Sequence, residues 1–256
     1  MTQPKRGYAI CTTPRSGSNY LCELLESTGT LGNPIEYFSP AALRVRSLPE
    51  FSGDREALLR QALCLGATSN GIYGLKLFVD HFDDMARTHW ISKLPALSFV
   101  YLTREDVLGQ AISAARADQT RRYRSTQPAA GPSVYDARAI RANLNYLVTA
   151  DARWRAFFAR NGLAPLLLTY ERVADDPLSA ITAIAARLDP DGKIEIDRTK
   201  VSLKIQRDAE TLAWRERFVR EHGDPGYLDR PRPPSPFWTP LRSAIKGVVM
   251  GRCGKR

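Results

Sequence analysis

Tyr8-Ala9-Ile10-Cys11-Thr12-Thr13-Pro14-Arg15-Ser16-Gly17-Ser18-Asn19-Tyr20-Leu21 is the stretch from which the fold can be read. Residues 8–12 form a short apolar run halted by Thr13-Pro14, which predicts a buried strand ended by a loop. From Ser18 to Thr28, Tyr20, Leu21, Leu24 and Leu25 recur at helical spacing, with Gly29 just past the end as a C-terminal cap. Strand, tight turn and helix follow directly on one another. Gly17 lets the backbone turn closely. N–H groups at a helix start lack intrahelical partners, and Ser16, Ser18 and Asn19 add polar side chains there. Arg15 adds a fixed charge and a planar fork of donors. The segment reads as an anion cradle. On residues alone, an ordinary helix cap beside a surface arginine stays open. The loop is not a Walker A motif, because GxxxxGK[ST] is absent and the loop holds one glycine. No acidic residue is obviously placed to hold Mg²⁺, so the expected anion is one that needs no metal.

Outward from this unit, strands are predicted at Ile72–Val79, Leu97–Leu102 and Leu166–Tyr170. Helices are predicted at Arg55–Leu65, Asp106–Ala117, Ala137–Arg160, Leu178–Leu188 and Asp208–Glu221, and Gly32–Pro40, with two prolines, reads as a loop. Short apolar strands alternating with helices predict an α/β fold. Its form is a three-layer parallel sheet of the P-loop nucleotide-binding type, with ligands at the carboxyl ends of the strands.

Composition fits a globular chain: 43% of the 256 residues are hydrophobic and 25% charged. The net charge of +10 is uneven, since residues 225–256 hold seven Lys or Arg against one Asp. The remainder is only mildly basic, and basic residues are not interleaved with aromatic ones there. A handler of anionic small molecules is expected, with no nucleic acid. No apolar run has the roughly 18–20 residues of a membrane span, and the polar start argues against a signal peptide. Cys11, Cys22, Cys64 and Cys253 lack CxxC spacing, and only His81, His89 and His222 are present, so no metal site is expected.

Several stretches together resemble the bacterial trehalose 2-sulfotransferase family of carbohydrate sulfotransferases. They are Pro14–Ser18, Gly32–Phe38, Gly71–Leu77 and Arg104–Arg116, with a weaker likeness over Gln206–Trp214. The likeness spans residues 7–222. It implies the sulfotransferase fold and 3′-phosphoadenosine-5′-phosphosulfate (PAPS) as donor co-substrate, without a metal. It implies that Arg15, Ser16, Gly17, Ser18 and Asn19 hold the 5′-phosphosulfate. Arg104 and Ser113, an arginine at a strand end and a serine nine residues later, would hold the 3′-phosphate. Gln206 and Arg207 would close over the nucleotide from a late loop. Glu36, in Pro34-Ile35-Glu36-Tyr37-Phe38, matches the family's catalytic base. A carboxylate can serve an alcohol if the transition state is loose and the proton leaves late. Lys76 and Arg15 would stabilise the transferring sulfonate.

From the residues alone, Glu36 also reads as a solvated loop carboxylate. Lys76, inside an apolar strand, also reads as an amine snorkelling from an edge strand. Ala114 and Ala115 stand where the trehalose enzyme has bulky aromatics, so part of the pocket is expected to be built differently. Arg116, Arg121, Arg122 and Arg124, opposed by Asp118, form a basic patch that can meet an anion or stay solvated.

The expected organisation is a catalytic domain over 1–224 and a basic tail over 225–256, with six prolines between Pro225 and Pro240. Leu241–Met250 has apolar residues at helical spacing. It can lie on an anionic membrane surface, form a poorly ordered terminal tail, or dock on the domain or on a second subunit. The resulting expectation is a PAPS-dependent sulfotransferase acting on a carbohydrate or glycolipid hydroxyl. It would be cytoplasmic, at the inner membrane face if the tail binds lipid, with a homodimer among the expectations. A P-loop-type nucleotide kinase and a non-catalytic basic membrane-associated binder are the alternatives.

Overall fold

The structure is a computed structural model that describes residues 3–48, 54–85, 89–190, 193–203 and 209–228. Four parallel strands form one sheet. β1 (Arg6–Thr12) lies between β2 (Ile72–Leu77) and β3 (Leu97–Thr103), and β4 (Leu166–Thr169) flanks β3. β1 registers Ile10 against Lys76 on one side and against Val100 on the other.

Side chains alternate across the pleat, so a strand buried on both faces must be apolar at every position. β1 meets that demand, with Tyr8, Ala9, Ile10 and Cys11 all fully buried. Tyr8 and Ile10 join Leu21, Leu24 and Leu25 of α1 (Ser18–Ser27) and Ile181 and Ile184 of α8 (Pro177–Ala185). Ala9 and Cys11 face the other layer. That layer is α3 (Arg55–Gly66), α4 (Val79–Met85) and α6 (Ala137–Arg160), the last contributing Trp154 and Phe158. α5 (Val107–Thr120) and α9 (Ala209–His222) pack beside α6 through Ile112, Leu147, Trp214 and Phe218. A polar contact ties α6 to the loop end of β1, where Trp154 Nε1 donates to the Thr12 carbonyl at 2.9 Å.

Several boundaries differ from expectation. β2 stops at Leu77, because Val79 already belongs to α4. Tyr170 opens α7 (Tyr170–Asp175) instead of closing β4, since Thr169 caps that helix by accepting from Arg172 N–H. α2 (Pro40–Val45) was unexpected. Ser39 caps it and Pro40 fits its first turn, where a missing N–H costs nothing. α5 runs on to Thr120, and α8 ends at Ala185. Among the described residues no helix is long and apolar enough to cross a membrane. Gln206, Arg207 and the tail features of 229–256 lie outside the described residues.

Candidate functional site

Every strand delivers residues to one cavity at its carboxyl end. β1 runs into Pro14–Asn19, β2 carries Lys76 and leads to Phe78, β3 leads to Arg104, and β4 to Tyr170. The cavity has a volume of about 450 Å³, within the usual range for small-molecule sites. Ser113, Asp118, Tyr123 and Arg124 wall one side, and Glu36 with α2 walls the other.

The loop is built backbone first. Arg15 and Gly17 both take left-handed conformations, with φ of 62° and 77°. Tyr20 and Leu21 N–H groups donate back to the Gly17 carbonyl, starting α1. The N–H groups of Ser18 and Asn19 precede any intrahelical partner at the start of α1. Gly17 has no room for a side chain, because a Cβ would overlap the Tyr170 ring. Gln110 braces the loop from α5. Its Nε2 donates to Thr13 Oγ1 at 2.8 Å and to the Pro14 carbonyl at 2.6 Å. The Ser16 hydroxyl sits 2.7 Å from Thr12 Oγ1, and Ser16 is fully buried and lines no part of the cavity.

Two guanidinium groups converge next to this loop. Arg15 Nε donates to Ser113 Oγ at 3.0 Å and its Nη1 to the Tyr123 carbonyl at 2.5 Å. Arg104 Nη1 donates to the Arg15 carbonyl at 3.2 Å, and its guanidinium lies 5.1 Å from the Tyr170 ring centroid. Burial, and then the Arg104 charge, hold the Arg15 guanidinium below its usual range. Like charges packed this closely favour an anion between or beside them. Sequence reasoning placed Arg15 and Ser113 at separate stations, whereas the structure hydrogen-bonds them to each other.

At the other station Lys76 Nζ donates to Asn19 Oδ1 at 2.7 Å and lies 2.6 Å from Glu36 Oε1. The Lys76 side chain is 3% exposed and that of Glu36 18%. β2 is an edge strand, yet its lysine turns inward, so the snorkelling and solvated-loop readings both fall away. Burial pulls the Glu36 carboxyl upward. The charges of Lys76, His81 and Arg124 outweigh it and hold the group below the ordinary carboxylate range. Cys22 also lines the cavity, and burial pushes its thiol up to about 11, which leaves it protonated at neutral pH.

The basic patch resolves unevenly. Arg116 is held by Glu210 and Thr211, and Arg122 Nη2 donates to the Ser125 carbonyl at 2.7 Å. Of the four arginines only Arg124 lines the cavity, and it is paired to the buried Glu23. Glu23 also accepts from Ser202 N–H at 2.8 Å and Leu203 N–H at 3.0 Å, tying a late segment to α1. Ala114 and Ala115 are buried and line no part of the cavity. Tyr170 and Gln110 were missed by sequence reasoning. A tyrosine just after an apolar strand is a visible signal for the first, whereas the second shows only once α5 packs on the loop.

A four-stranded parallel sheet between helices, with a glycine-turned loop after β1 and cationic side chains at the neighbouring strand ends, defines an α/β fold with its cavity at the carboxyl ends of the strands. The chain belongs to the Stf0 sulphotransferase family, whose model matches residues 7–221, and it is an enzyme of the sulfotransferase class. It is 25% identical over 264 residues to a trehalose 2-sulfotransferase of Mycobacterium tuberculosis (strain ATCC 35801 / TMC 107 / Erdman), covering 86% of this chain and 97% of that one. A trehalose 2-sulfotransferase of Mycolicibacterium smegmatis (strain ATCC 700084 / mc(2)155) matches at 25% over 262 residues, with the same coverage. Among solved structures, the sulfotransferase domain from the curacin biosynthetic pathway superposes with a TM-score of 0.44 at 13% identity, covering 86% of this chain and 98% of that one. The sulfotransferase domain of the Synechococcus PCC 7002 olefin synthase gives 0.41 at 14%, covering 86% and 96%. Family membership removes the kinase and the non-catalytic binder as alternatives.

Proposed function

We propose that the protein moves a sulfonate group from PAPS to a hydroxyl of a carbohydrate or glycolipid. The observation that carries this reading is the Glu36–Lys76–Asn19 cluster set against the phosphate loop in one cavity. The residues present fit PAPS. A paired guanidinium station suits a phosphate dianion, and a loop of backbone N–H groups with Lys76 suits a second anionic group. When bound, PAPS supplies an activated sulfonate on a phosphate leaving group.

The chain's own residues do the rest. Arg104, Arg15 and Ser113 hold the 3′-phosphate end, with Arg15 reaching from the loop. Backbone N–H groups of Ser16 to Asn19 hold the 5′ end. Lys76 offsets the negative charge that grows there, and Asn19 fixes its amine. Glu36, ionised at neutral pH, accepts the acceptor's hydroxyl proton. No residue is required as a nucleophile. Residues 1–224 form the catalytic domain in this reading, supported by the match over 7–221 and by α9 ending at His222.

Calorimetric titration with 3′-phosphoadenosine-5′-phosphate beside AMP tests the donor reading. A 3′-phosphate meeting two guanidinium groups is worth at least about 3 kcal/mol, so selectivity of roughly 100-fold or more is expected. Equal affinity for the two nucleotides would overturn the assignment. Glu36→Gln keeps shape and removes the base. Nucleotide affinity should hold within about threefold while transfer falls about 10²–10⁴-fold, as for loss of a general base. Near-normal turnover in that variant would remove Glu36 from the mechanism.

A further inference from the structure

Beyond Glu36 the cavity wall continues along α2 through Ala41, Ala42 and Val45 to Arg46, with Ile35 beneath. Ile35 of this wall directly precedes Glu36, and its carbonyl accepts from Lys76 N–H at 3.0 Å, which sets the wall beside the reacting carboxylate. Val45 is 52% exposed on it, a β-branched apolar side chain left open at a cavity. The polar side chains of the same wall, Ser39 and Arg46, stand at the two ends of α2. Ser39 Oγ accepts from Ala42 N–H at 3.4 Å to cap α2. The Arg46 guanidinium is held by the Glu26 carboxylate. Leu203 lines the cavity as well, and its N–H is fixed by Glu23 at 3.0 Å. A free disaccharide carries hydroxyls on all sides, and those turned to Ala41, Ala42 and Val45 would lose water without gaining side-chain partners. A hydrocarbon chain loses nothing there and covers apolar area.

We propose that this wall seats an alkyl or acyl chain, so that the acceptor is an amphiphilic alcohol whose sugar-like head presents its hydroxyl to Glu36. The inference rests on the sulfonate-transfer reading of the same cavity and narrows its acceptor class. The chain lies along Ala42, Val45 and Leu203. The head keeps to the polar end, where Glu36, Lys76 and Asn19 gather.

The test is a series of methyl, butyl and octyl β-D-glucosides bound to the full chain below micelle-forming concentrations and followed by calorimetry. Affinity is expected to rise about threefold per methylene over the first few carbons. Val45→Asp should lower the octyl-to-methyl affinity ratio at least about tenfold, and Val45→Leu should preserve it. Taking the ratio within one variant cancels any general loss of binding. An affinity that does not change with chain length, or a ratio untouched by Val45→Asp, overturns the inference. Nucleotide titration on the same samples separates the two failures. A flat glucoside series with selective 3′-phosphate binding intact overturns the amphiphilic acceptor alone. Absence of that binding overturns the donor reading.

Discussion

Lys76→Met is expected to lower sulfonate transfer by about 10³-fold and to move the acid limb of its pH profile upward. The variant loses two things at once. The first, in the proposed mechanism, is a cation positioned where negative charge grows, an interaction worth roughly 10²–10³ in rate when one donor is removed. The second is the counter-charge of Glu36. In the native protein the Glu36 carboxyl lies below the ordinary range because Lys76, His81 and Arg124 overcome its burial. It is therefore ionised throughout the neutral region. The stability this pairing lends is present above the unfolded carboxylate range and is lost as pH falls through the depressed native value. With Met at 76, burial acts against fewer opposing charges, so Glu36 takes up a proton at higher pH. Rate against pH, measured from about pH 4 to 9, should show the limb displaced toward neutrality. A limb that stays in place would mean that Glu36 is not the titrating group. Stability should also fall, by about 3 kcal/mol if Glu36 stays charged and by less if it protonates.

Gly17→Ala should have the second-largest effect. The position needs φ of 77°, which costs an L-residue about 1–2 kcal/mol. The new Cβ would also meet Tyr170, whose Cε2 lies only 2.7 Å from it. Either the ring or the loop must move, and both face the cavity. The expected outcome is a loss of about 3 kcal/mol, seen as a melting temperature lower by about 6–12 °C, with nucleotide affinity reduced at least tenfold. Gly29→Ala is the matched comparison. Its φ is 67°, but nothing lies within 4 Å of the added carbon. It should show the backbone cost alone, with nucleotide affinity unchanged. Similar effects on affinity in both variants would show that the closeness of Tyr170 to the loop has no part in binding.

Local patterns were legible where one element carried its own instructions. The run from Tyr8 through Leu25 states strand, turn and helix in order, and Ala137–Arg160 emerges with the bounds its apolar spacing implies. α2 was hidden behind Pro34 and Pro40, which read as loop, although Ser39-Pro40 is also a helix start. Pairings between distant segments were not legible. Arg15 finds Ser113 98 positions away, and Arg124 finds Glu23 101 positions away. Those contacts depend on where α5 and its following loop settle, which no local pattern encodes. A run of like charges gives no sign of which arginine will be claimed by a buried carboxylate. For Ser16 the residue type was suggestive, but the turn of the loop brings its hydroxyl onto Thr12 Oγ1.

The central place of β1 in the sheet also governs when the cavity can exist during synthesis. Both of its neighbours are encoded downstream, and the second, β3, begins roughly 85 residues after β1 ends. At a translation rate of about 5–20 residues per second, β1 waits some 4–17 s for that partner. Through that interval a strand with the apolar centre Tyr8–Cys11 is on the ribosome with one or both hydrogen-bonding edges open, the exposure that invites mispairing. The loop proposed to hold the 5′ end of the donor is thus among the first segments made and among the last to be shaped. A nascent chain arrested before Thr103 should show no nucleotide-dependent protection from proteolysis.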